Sequence, residues 1–535
     1  IGSTPGNDTT YDVDILGTLQ WPANPGASWT LTFSTSVKIQ NGGKFQIGTG
    51  TGARLDCDYK AEIVMDTNGN PDYDIKVEDG GELNWYGCED WLTSGSVGER
   101  ARISACSTSP CTGASTLTLD RAVDWDDCNA DATFCAVVVG VGGSDSTAPG
   151  ANVPEIITSY TNAANNQISL NLGSTHQVGD MVAKFSRNIL IHSNSATSHG
   201  CVYSTGGEVY ISWVRFDEMG DSTASGAGGA TFNFSDAAKN VGTLEYFALS
   251  NCEDGGGVTG IYLYASEIDA CDNCYVFDNY LGYGINIAYM ANDYTIKDSV
   301  TINAEGSTRR GNGVYTTNAA TGVLGTLDEA WCCRYANGLY TSKGMIDRYM
   351  ECLSHGDGTA IYHQDGGGQY VQNIIVRFDQ CEIRNADIVG VRYNKGGPPT
   401  IMTDCDFDLV DESCILLSNT NGETFWFEGY DNTFDKCNDA GSVAYAAIYI
   451  DVESGGYYYG QNEKFGVNTP NEKANIMINY TQYNETAAGP MRFTCNNCIL
   501  TAELNANWAW PIYVNGGSAF QYTTFLDHHS YLTLH

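Results

Sequence analysis

The sequence predicts an all-β chain wound as a right-handed parallel β-helix, with a loop-rich β insertion in its N-terminal third. Three observations carry that prediction. Short alternating or apolar runs (Thr30 to Ile39, Ile75 to Tyr86, Val209 to Phe216, Leu244 to Leu249, Ile374 to Ile383, Thr400 to Phe407, Phe425 to Tyr430) are punctuated by Gly, Asn, Asp and Ser. Apolar residues almost never recur at helical spacing. From about residue 200 onward, cysteines return at a near-constant interval: 22 residues from Cys252 to Cys274 and 24 from Cys381 to Cys405, each of these four preceded by Asn, Asp or Gln, and 23 from Cys414 to Cys437. An irregular repeat of this length in an all-β chain is the mark of a solenoid.

Taken in order, residues 1–10 read as a polar N-terminal arm and 11–90 as a β-helical start. Residues 91–195 read as a β-rich insertion with longer polar loops, and 196–535 as the main parallel β-helix. Coils stacked about 4.8 Å apart bring cysteines of neighbouring coils within disulfide reach. Cys252/Cys274, Cys381/Cys405 and Cys414/Cys437 are therefore candidate cross-coil bridges; the competing reading is a stack of free thiols packed as small apolar groups. In the insertion, Cys106, Cys111, Cys128 and Cys135 read as local loop staples, with Cys106–Cys111 and Cys128–Cys135 one pairing among several.

Composition sets limits on function. There are 26 Lys+Arg against 64 Asp+Glu, a net charge of −38, and no basic run to neutralise phosphates. That excludes nucleic acid and disfavours an anionic membrane surface. No apolar run approaches the length of a membrane span, so no membrane insertion is expected. The content of 42% apolar and 11% aromatic residues is ample for a core, so the chain is not a disordered acidic tail. Its 19 cysteines carry no haem-attachment signature, and the two Cys-x-x-Cys pairs, Cys271/Cys274 and Cys495/Cys498, lie too far apart in sequence for an ordinary zinc site. Disulfides and an extracellular or cell-surface location are the expectation. An odd count leaves at least one cysteine unpaired within the chain.

The segments Ile15-Leu-Gly-Thr-Leu-Gln-Trp21, Leu31-Thr-Phe33 and Val37-Lys-Ile-Gln-Asn-Gly-Gly-Lys-Phe-Gln-Ile-Gly48 resemble the domain named for its eight glycines. That domain occurs in fibrocystin-like proteins and in the cell-migration-inducing, hyaluronan-binding family. The figure returns in Ile75-Lys-Val-Glu-Asp-Gly-Gly-Glu-Leu-Asn-Trp-Tyr-Gly87, and Pro154 to Ile157, His176 and Ser186 to Ile189 look like the segment that follows it. The resemblance spans roughly 11–194 in patches and implies an extracellular protein with a β-helical body. The depolymerising members carry paired histidines in the following β-helix. Here no His lies between His199 and His355, so the resemblance brings no such activity.

Four sets of residues are candidates for chemistry. His355, Asp357, His363, Asp365, Arg377 and Asp379 would form a hydrolase-like cluster of acids, histidine and a base if adjacent coils placed them on one face; corner loops rich in Gly, His and Asp are the alternative. Asp66, Asn68, Asn70, Asp72 and Asp74 alternate oxygen ligands as calcium loops do, but lack the central Gly and distal Glu of an EF-hand; a plain Asn/Asp turn competes. Asp404, Asp406 and Asp408 alternate too and read as solvated surface. Trp426, Tyr457, Tyr458, Tyr459, Trp508 and Trp510 supply flat rings suited to stacking on sugars, although on alternating strands half of such rings point inward. The sequence as a whole predicts a structural or adhesive β-helix that self-associates end to end, its partners being copies of itself and a polysaccharide. A polysaccharide lyase or hydrolase, or a monomeric carbohydrate-binding adhesin, is the alternative.

Overall fold

The computed structural model describes residues 13–48, 53–66, 74–89, 91, 99–123, 125–129, 131–140, 153–194, 200–220, 232–234, 241–252, 259–264, 267–278, 283–288, 293–303, 311–317, 323–342, 346–364, 375–394, 400–419, 425–437, 446–452, 456–466, 474–480, 491–502, 510–516, 523–528 and 531–534. The chain divides into two compact units, 1–315 and 316–535. Both are parallel β-helices: each rung contributes one strand to each of three sheets, and every strand pairs in parallel with its counterpart one rung away. Among the described residues no helix is long and apolar enough to cross a membrane.

In the first unit the opening rung is Val13–Ile15, Thr18–Trp21 and Trp29–Phe33. The next is Val37–Ile39, Lys44–Ile47 and Ala61–Met65, in register with it. Alternation does the work: Val37, Ile39, Phe45 and Ile47 are buried while the residues between them are partly exposed. Phe45 packs edge-on against Trp85 of the following rung, at 5.3 Å and 86°. The Gly-Gly pairs are explained by the corners. Gly42 and Gly80 hold φ of +78° and +76°. Their successors lie so close to the rung before that an added Cβ would sit 1.9 Å from the Ile15 carbonyl oxygen (at Gly43) or 2.3 Å from that of Ile39 (at Gly81).

The insertion leaves the helix after Glu82–Tyr86 and returns at Ile189–Ser193. It is a seven-stranded antiparallel sheet including Arg100–Cys106, Cys111–Leu119, Gln167–His176 and Met181–Lys184, packed on a core of Ile103, Leu117, Trp125 and Leu170. Buried charge fixes it to the helix of its own unit. Arg187 meets Glu99 through two hydrogen bonds, 3.1 Å and 2.6 Å, and donates to the Tyr246 carbonyl at 2.9 Å. Its guanidinium lies 5.2 Å from the Trp213 ring centre, and Lys184 Nζ lies 3.5 Å from Glu99. Arg100 pairs with Asp298 at 2.7 Å, and Arg215 donates to the carbonyls of Thr133 and Cys135.

In the second unit the sheet containing Val376–Asp379, Thr400–Thr403, Phe425–Tyr430 and Gly456–Gln461 carries the surface of interest. Between this sheet and the next, each rung turns on a single residue in the left-handed region: Glu329, Glu351, Gln380, Asp404, Asp431, Asn462 and Asn497, with φ between +46° and +58°. The backbone N–H of Gln380, Asp404, Asp431 and Asn462 each donates to a carbonyl of the following rung at 2.9 Å. Side chains form a parallel ladder, Asn497 Nδ2 to Asn462 Oδ1 at 2.7 Å and Asn462 Nδ2 to Asp431 Oδ1 at 2.9 Å. This corner is why Asn, Asp or Gln precedes the repeating cysteines: short polar side chains tolerate the left-handed turn, and the next residue is turned into the core.

Among the described residues three disulfides are formed. Cys128–Cys135 closes a loop of the insertion, and Cys414–Cys437 spans one coil with a Cα separation of 5.5 Å. Cys57–Cys88 was not expected from the sequence, whose interval of 31 matches no repeat. Cys106 and Cys111 are thiols in mutual contact, and Cys381 and Cys405 are buried thiols. Neither expected bridge is closed in this structure, and Cys381 and Cys405 stand as neighbouring buried thiols. Cys274 is a buried thiol beside Cys271, and the side chain of Cys252 lies outside the described residues.

Candidate functional site

Strand alternation sorts the aromatic candidates into core and surface. Trp426 lies opposite Tyr457, Phe427 opposite Tyr458, Glu428 opposite Tyr459 and Tyr430 opposite Gln461. Phe427 and Tyr458 point inward and stack at 5.6 Å and 10°. Tyr458 is therefore withdrawn as a binding residue: its ring is core. Trp426, Glu428, Tyr430, Tyr457, Tyr459 and Gln461 share the outer face.

On that face the rings form a small platform. Trp426 and Tyr457 are 4.9 Å apart, Tyr430 and Tyr459 are 5.7 Å apart, and Tyr457 and Tyr459 are nearly coplanar in orientation at 7° and 6.5 Å. Glu428 sits in the middle and holds two of them. Its Oε1 accepts from Trp426 Nε1 and its Oε2 from the Tyr430 hydroxyl, each at 2.8 Å. Tyr459 donates to Gln461 Oε1 at 2.8 Å. Burial and then the Glu428 carboxylate push the Tyr430 hydroxyl up to about 12, so it stays a donor to Glu428 through neutral pH. Trp426 is 47% exposed and is the one aromatic among the exposed large hydrophobic side chains of the described residues. A pinned ring that stays in water loses little conformational freedom on binding a flat apolar surface.

The same outer face continues one and two rungs away. Ile401 and Thr403 lie opposite Glu428 and Tyr430, and Arg377 and Asp379 lie opposite Ile401 and Thr403. Arg377 and Asp379 are exposed, and neither has an ion-pair partner among the described residues. Two candidates from the hydrolase-like cluster thus belong to the face of the aromatic platform.

The rest of that cluster is elsewhere, which corrects the expectation of one shared face. His355 ends Leu353–His355 of the third sheet, His363 lies in Thr359–Gln364 of the first, and Arg377 and Asp379 lie in the second. All three of His355, Asp357 and His363 are buried. Asp357 is a structural acceptor, taking the Tyr335 N–H at 2.6 Å and the Ser354 hydroxyl at 2.5 Å. His355 Nε2 accepts from Asn385 Nδ2 at 2.9 Å. His363 stacks on Tyr393 at 5.0 Å and 9°, and burial lowers its pKa to about 4, so it is neutral above that. Asp365 lies outside the described residues.

The remaining candidates divide similarly. Asn68, Asn70 and Asp72 lie outside the described residues. The flanking carboxylates already tie rungs together: Asp66 accepts from Asn194 Nδ2 at 2.6 Å, and Asp74 accepts from the Cys201 N–H at 3.0 Å. Among the described residues no group of three or more His, Cys, Asp or Glu is placed to hold a metal ion. Asp406 and Asp408 lie on the outer face of the third sheet within 4 Å of Arg384 and Lys436, and Asp404 is an exposed corner residue. Trp508 lies outside the described residues. Trp510 begins a strand of the first sheet, opposite Ala474, and so does not join the platform.

Sequence reasoning found three of the platform's rings, Trp426, Tyr457 and Tyr459, but not Tyr430 or the carboxylate of Glu428. Alternation about Phe425-Trp426-Phe427 was the available signal, since it puts positions 426, 428 and 430 on one face.

No protein-family model matches the chain, and no curated protein sequence matches it. Several solved structures are similar, among them these three. The tailspike of Pseudomonas phage phi297 is 10% identical, with 95% of this chain and 72% of that one covered and a TM-score of 0.28. The tailspike of Acinetobacter baumannii bacteriophage AP22, solved with a capsular saccharide, is 10% identical, with 95% and 68% covered and a TM-score of 0.24. The catalytic unit of an alpha-1,3-glucanase from Streptomyces thermodiastaticus is 9% identical, with 80% and 98% covered and a TM-score of 0.30. At these values no residue correspondence follows, and the parallel β-helix rests on this chain's own strand pairing.

Proposed function

We propose that the protein is an extracellular β-helix that binds a polysaccharide on the outer aromatic face of its second unit, without cleaving it. The observation that carries this reading is the exposed Trp426 ring, packed at a tilt of 55° against Tyr457 and pinned by Glu428. Rings in register on a parallel sheet also stack for structural reasons. What distinguishes this set is the exposure of its largest member and the hydrogen-bonded order around it. Rungs recur at about 4.8 Å, so an extended sugar chain laid across them meets a new row of side chains at each step. The non-cleaving part of the reading is supported by the dispersal of the hydrolase-like residues over three sheets.

Affinity electrophoresis through gels holding a panel of neutral and acidic polysaccharides tests the reading. At least one should retard the wild type, and Trp426→Ala or Tyr457→Ala should weaken that retardation about tenfold, the equivalent of roughly 1.4 kcal/mol. Retardation by no member of the panel, or equal retardation of wild type and variants, would overturn it. Release of reducing or unsaturated sugar ends would instead favour the enzyme reading.

End-to-end self-association is a second proposal. Each rung of a parallel β-helix carries backbone N–H and C=O groups on its edges, and any edge left uncovered is a template for further strands. Negative-stain micrographs across salt concentrations test it, and single particles throughout would refute it. Calcium at Asp66 to Asp74 is kept as a proposal for titration calorimetry, as is the kinship with eight-glycine-domain proteins.

A further inference from the structure

We propose that Cys352, Cys381 and Cys405 form a three-thiol column in which Cys381 makes one disulfide, to either neighbour, and the leftover thiol lets the two linkages interconvert. These residues occupy the same inward corner position of three consecutive rungs, each directly after a left-handed residue: Glu351, Gln380 and Asp404. Their backbones are in direct ladder contact. Glu382 N–H donates to the Cys352 carbonyl at 2.8 Å, and Asp406 N–H to the Cys381 carbonyl at 2.9 Å. All three side chains are buried, and the Cys381 sulfur is in hydrogen-bond contact with both of the others. The column is bounded at one end by Ala330 and at the other by Asn432, whose Oδ1 accepts the Cys405 N–H at 2.9 Å. A cross-coil bridge is compatible with this helix, because Cys414–Cys437 already makes one.

Three sulfurs with one in the middle cannot all be satisfied by pairing. Burial opposes ionisation of Cys381, but contacts from Cys352 and Cys405 lower its pKa, while burial raises theirs. Burial also keeps bulk oxidants away from the folded column, so the bond must form during folding, with a small-molecule disulfide as oxidant. The Cys381 thiolate attacks that disulfide and releases one thiol. A neighbouring thiolate then attacks the Cys381 sulfur and releases the second, so two cysteine thiols are oxidised and one disulfide is reduced to two thiols. In the exchange step the leftover thiolate attacks the Cys381 sulfur, the bond to the other neighbour breaks, and the sulfur that leaves takes up the proton the attacker lost. Thiol–disulfide exchange proceeds through sulfurs in file, and stacking rungs along one axis places them so.

The test is refolding of the full chain in mixed reduced and oxidised glutathione, followed by acid quench, denaturation, alkylation of free thiols and peptide mass spectrometry. The expected result is one free thiol among the three sites, shared between Cys352 and Cys405, with Cys381 oxidised in essentially every molecule. Cys352→Ser should leave only Cys381–Cys405, and Cys405→Ser only Cys352–Cys381. Alkylation of Cys381 in a sample whose Cys414–Cys437 bridge is closed would overturn the proposal. So would a single linkage in the wild type, or a bond from Cys352 to the nearby Cys332. The wild-type map alone decides the matter should a serine variant fail to fold.

Discussion

Glu99 is the counter-ion of two buried cations, and replacing it with Gln keeps its shape while removing its charge. Arg187 and Lys184 are fully buried and Glu99 nearly so, with the carboxylate 2.6 Å from Arg187 and 3.5 Å from Lys184. At an effective dielectric near 20, the contacts with Arg187 and Lys184 contribute about 6 and about 5 kcal/mol of attraction. Against this stands the cost of desolvating the carboxylate itself, so the net effect is smaller than the sum. Removing one partner of a buried pair costs about 3–5 kcal/mol, because the charge left behind is uncompensated. Arg187 would retain its bond to the Tyr246 carbonyl and its place near Trp213, which keeps the expectation within that range. Urea unfolding followed by tryptophan fluorescence should show the transition of the first unit shifted by this amount in Glu99→Gln. The triple variant Glu99→Leu, Arg187→Met and Lys184→Met should recover a large part of the loss, since apolar replacement of a whole buried pair or triad is often neutral. A loss below about 1 kcal/mol in the single variant would refute the idea that buried charge locks the insertion to the helix.

Further outcomes follow from other buried groups and corners. Burial opposes protonation of His176, but Asp180 and Glu155 outweigh it and raise its pKa to about 9. With the folded value above the unfolded 6.5, this stabilisation is complete below about pH 6.5 and is lost as pH rises through about 9. The drop is at most about 3 kcal/mol, read as a falling melting temperature that His176→Gln should flatten. Burial raises the Glu463 pKa well above 4.5, and its Oε2 finds no hydrogen-bond partner, so its contribution weakens as pH rises from the acid range. Glu463→Gln should therefore be more stable than wild type at pH 7 in a denaturant titration, and equal stability would speak against a buried acid there. At the corner, Gln380 holds φ of +52°, so Gln380→Val should cost about 1–2 kcal/mol by denaturant titration while Gln380→Gly is nearly neutral.

Much of the architecture was legible because a β-helix is a local code repeated. Alternation marks strands, Gly-Gly at 42–43 and 80–81 marks corners, and the Asn, Gln or Asp before Cys274, Cys381 and Cys405 marks the left-handed turn. Each signal is satisfied by neighbours in sequence or by the same position one rung away. The interval of 23 from Cys414 to Cys437 could thus be read as a bridge. The same arithmetic at Cys381 and Cys405 could not reveal that Cys352 competes from the other side, because its spacing of 29 to Cys381 is irregular.

The site was legible only in part. Residue type alone nominated Tyr458 with Tyr457 and Tyr459, yet the pleat sends it into the core against Phe427. His355, Asp357, His363, Arg377 and Asp379 are near in sequence, but a coil visits three sheets in turn, so short separation scatters them over three faces. Conversely, Arg377 and Trp426, 49 residues apart, share one face because rungs stack in register.

The sequence by itself determined the all-β class, the coil length, the acidic surface and the apolar supply for a core, since these depend on composition and period. Only the tertiary structure decided which rings reach solvent, which thiols meet and how the insertion is held. Those depend on the phase of each strand relative to its neighbours and on where loops of unequal length return the chain. A slip of one residue in a strand's register turns its inward face outward, and no local pattern records where each loop returns the chain.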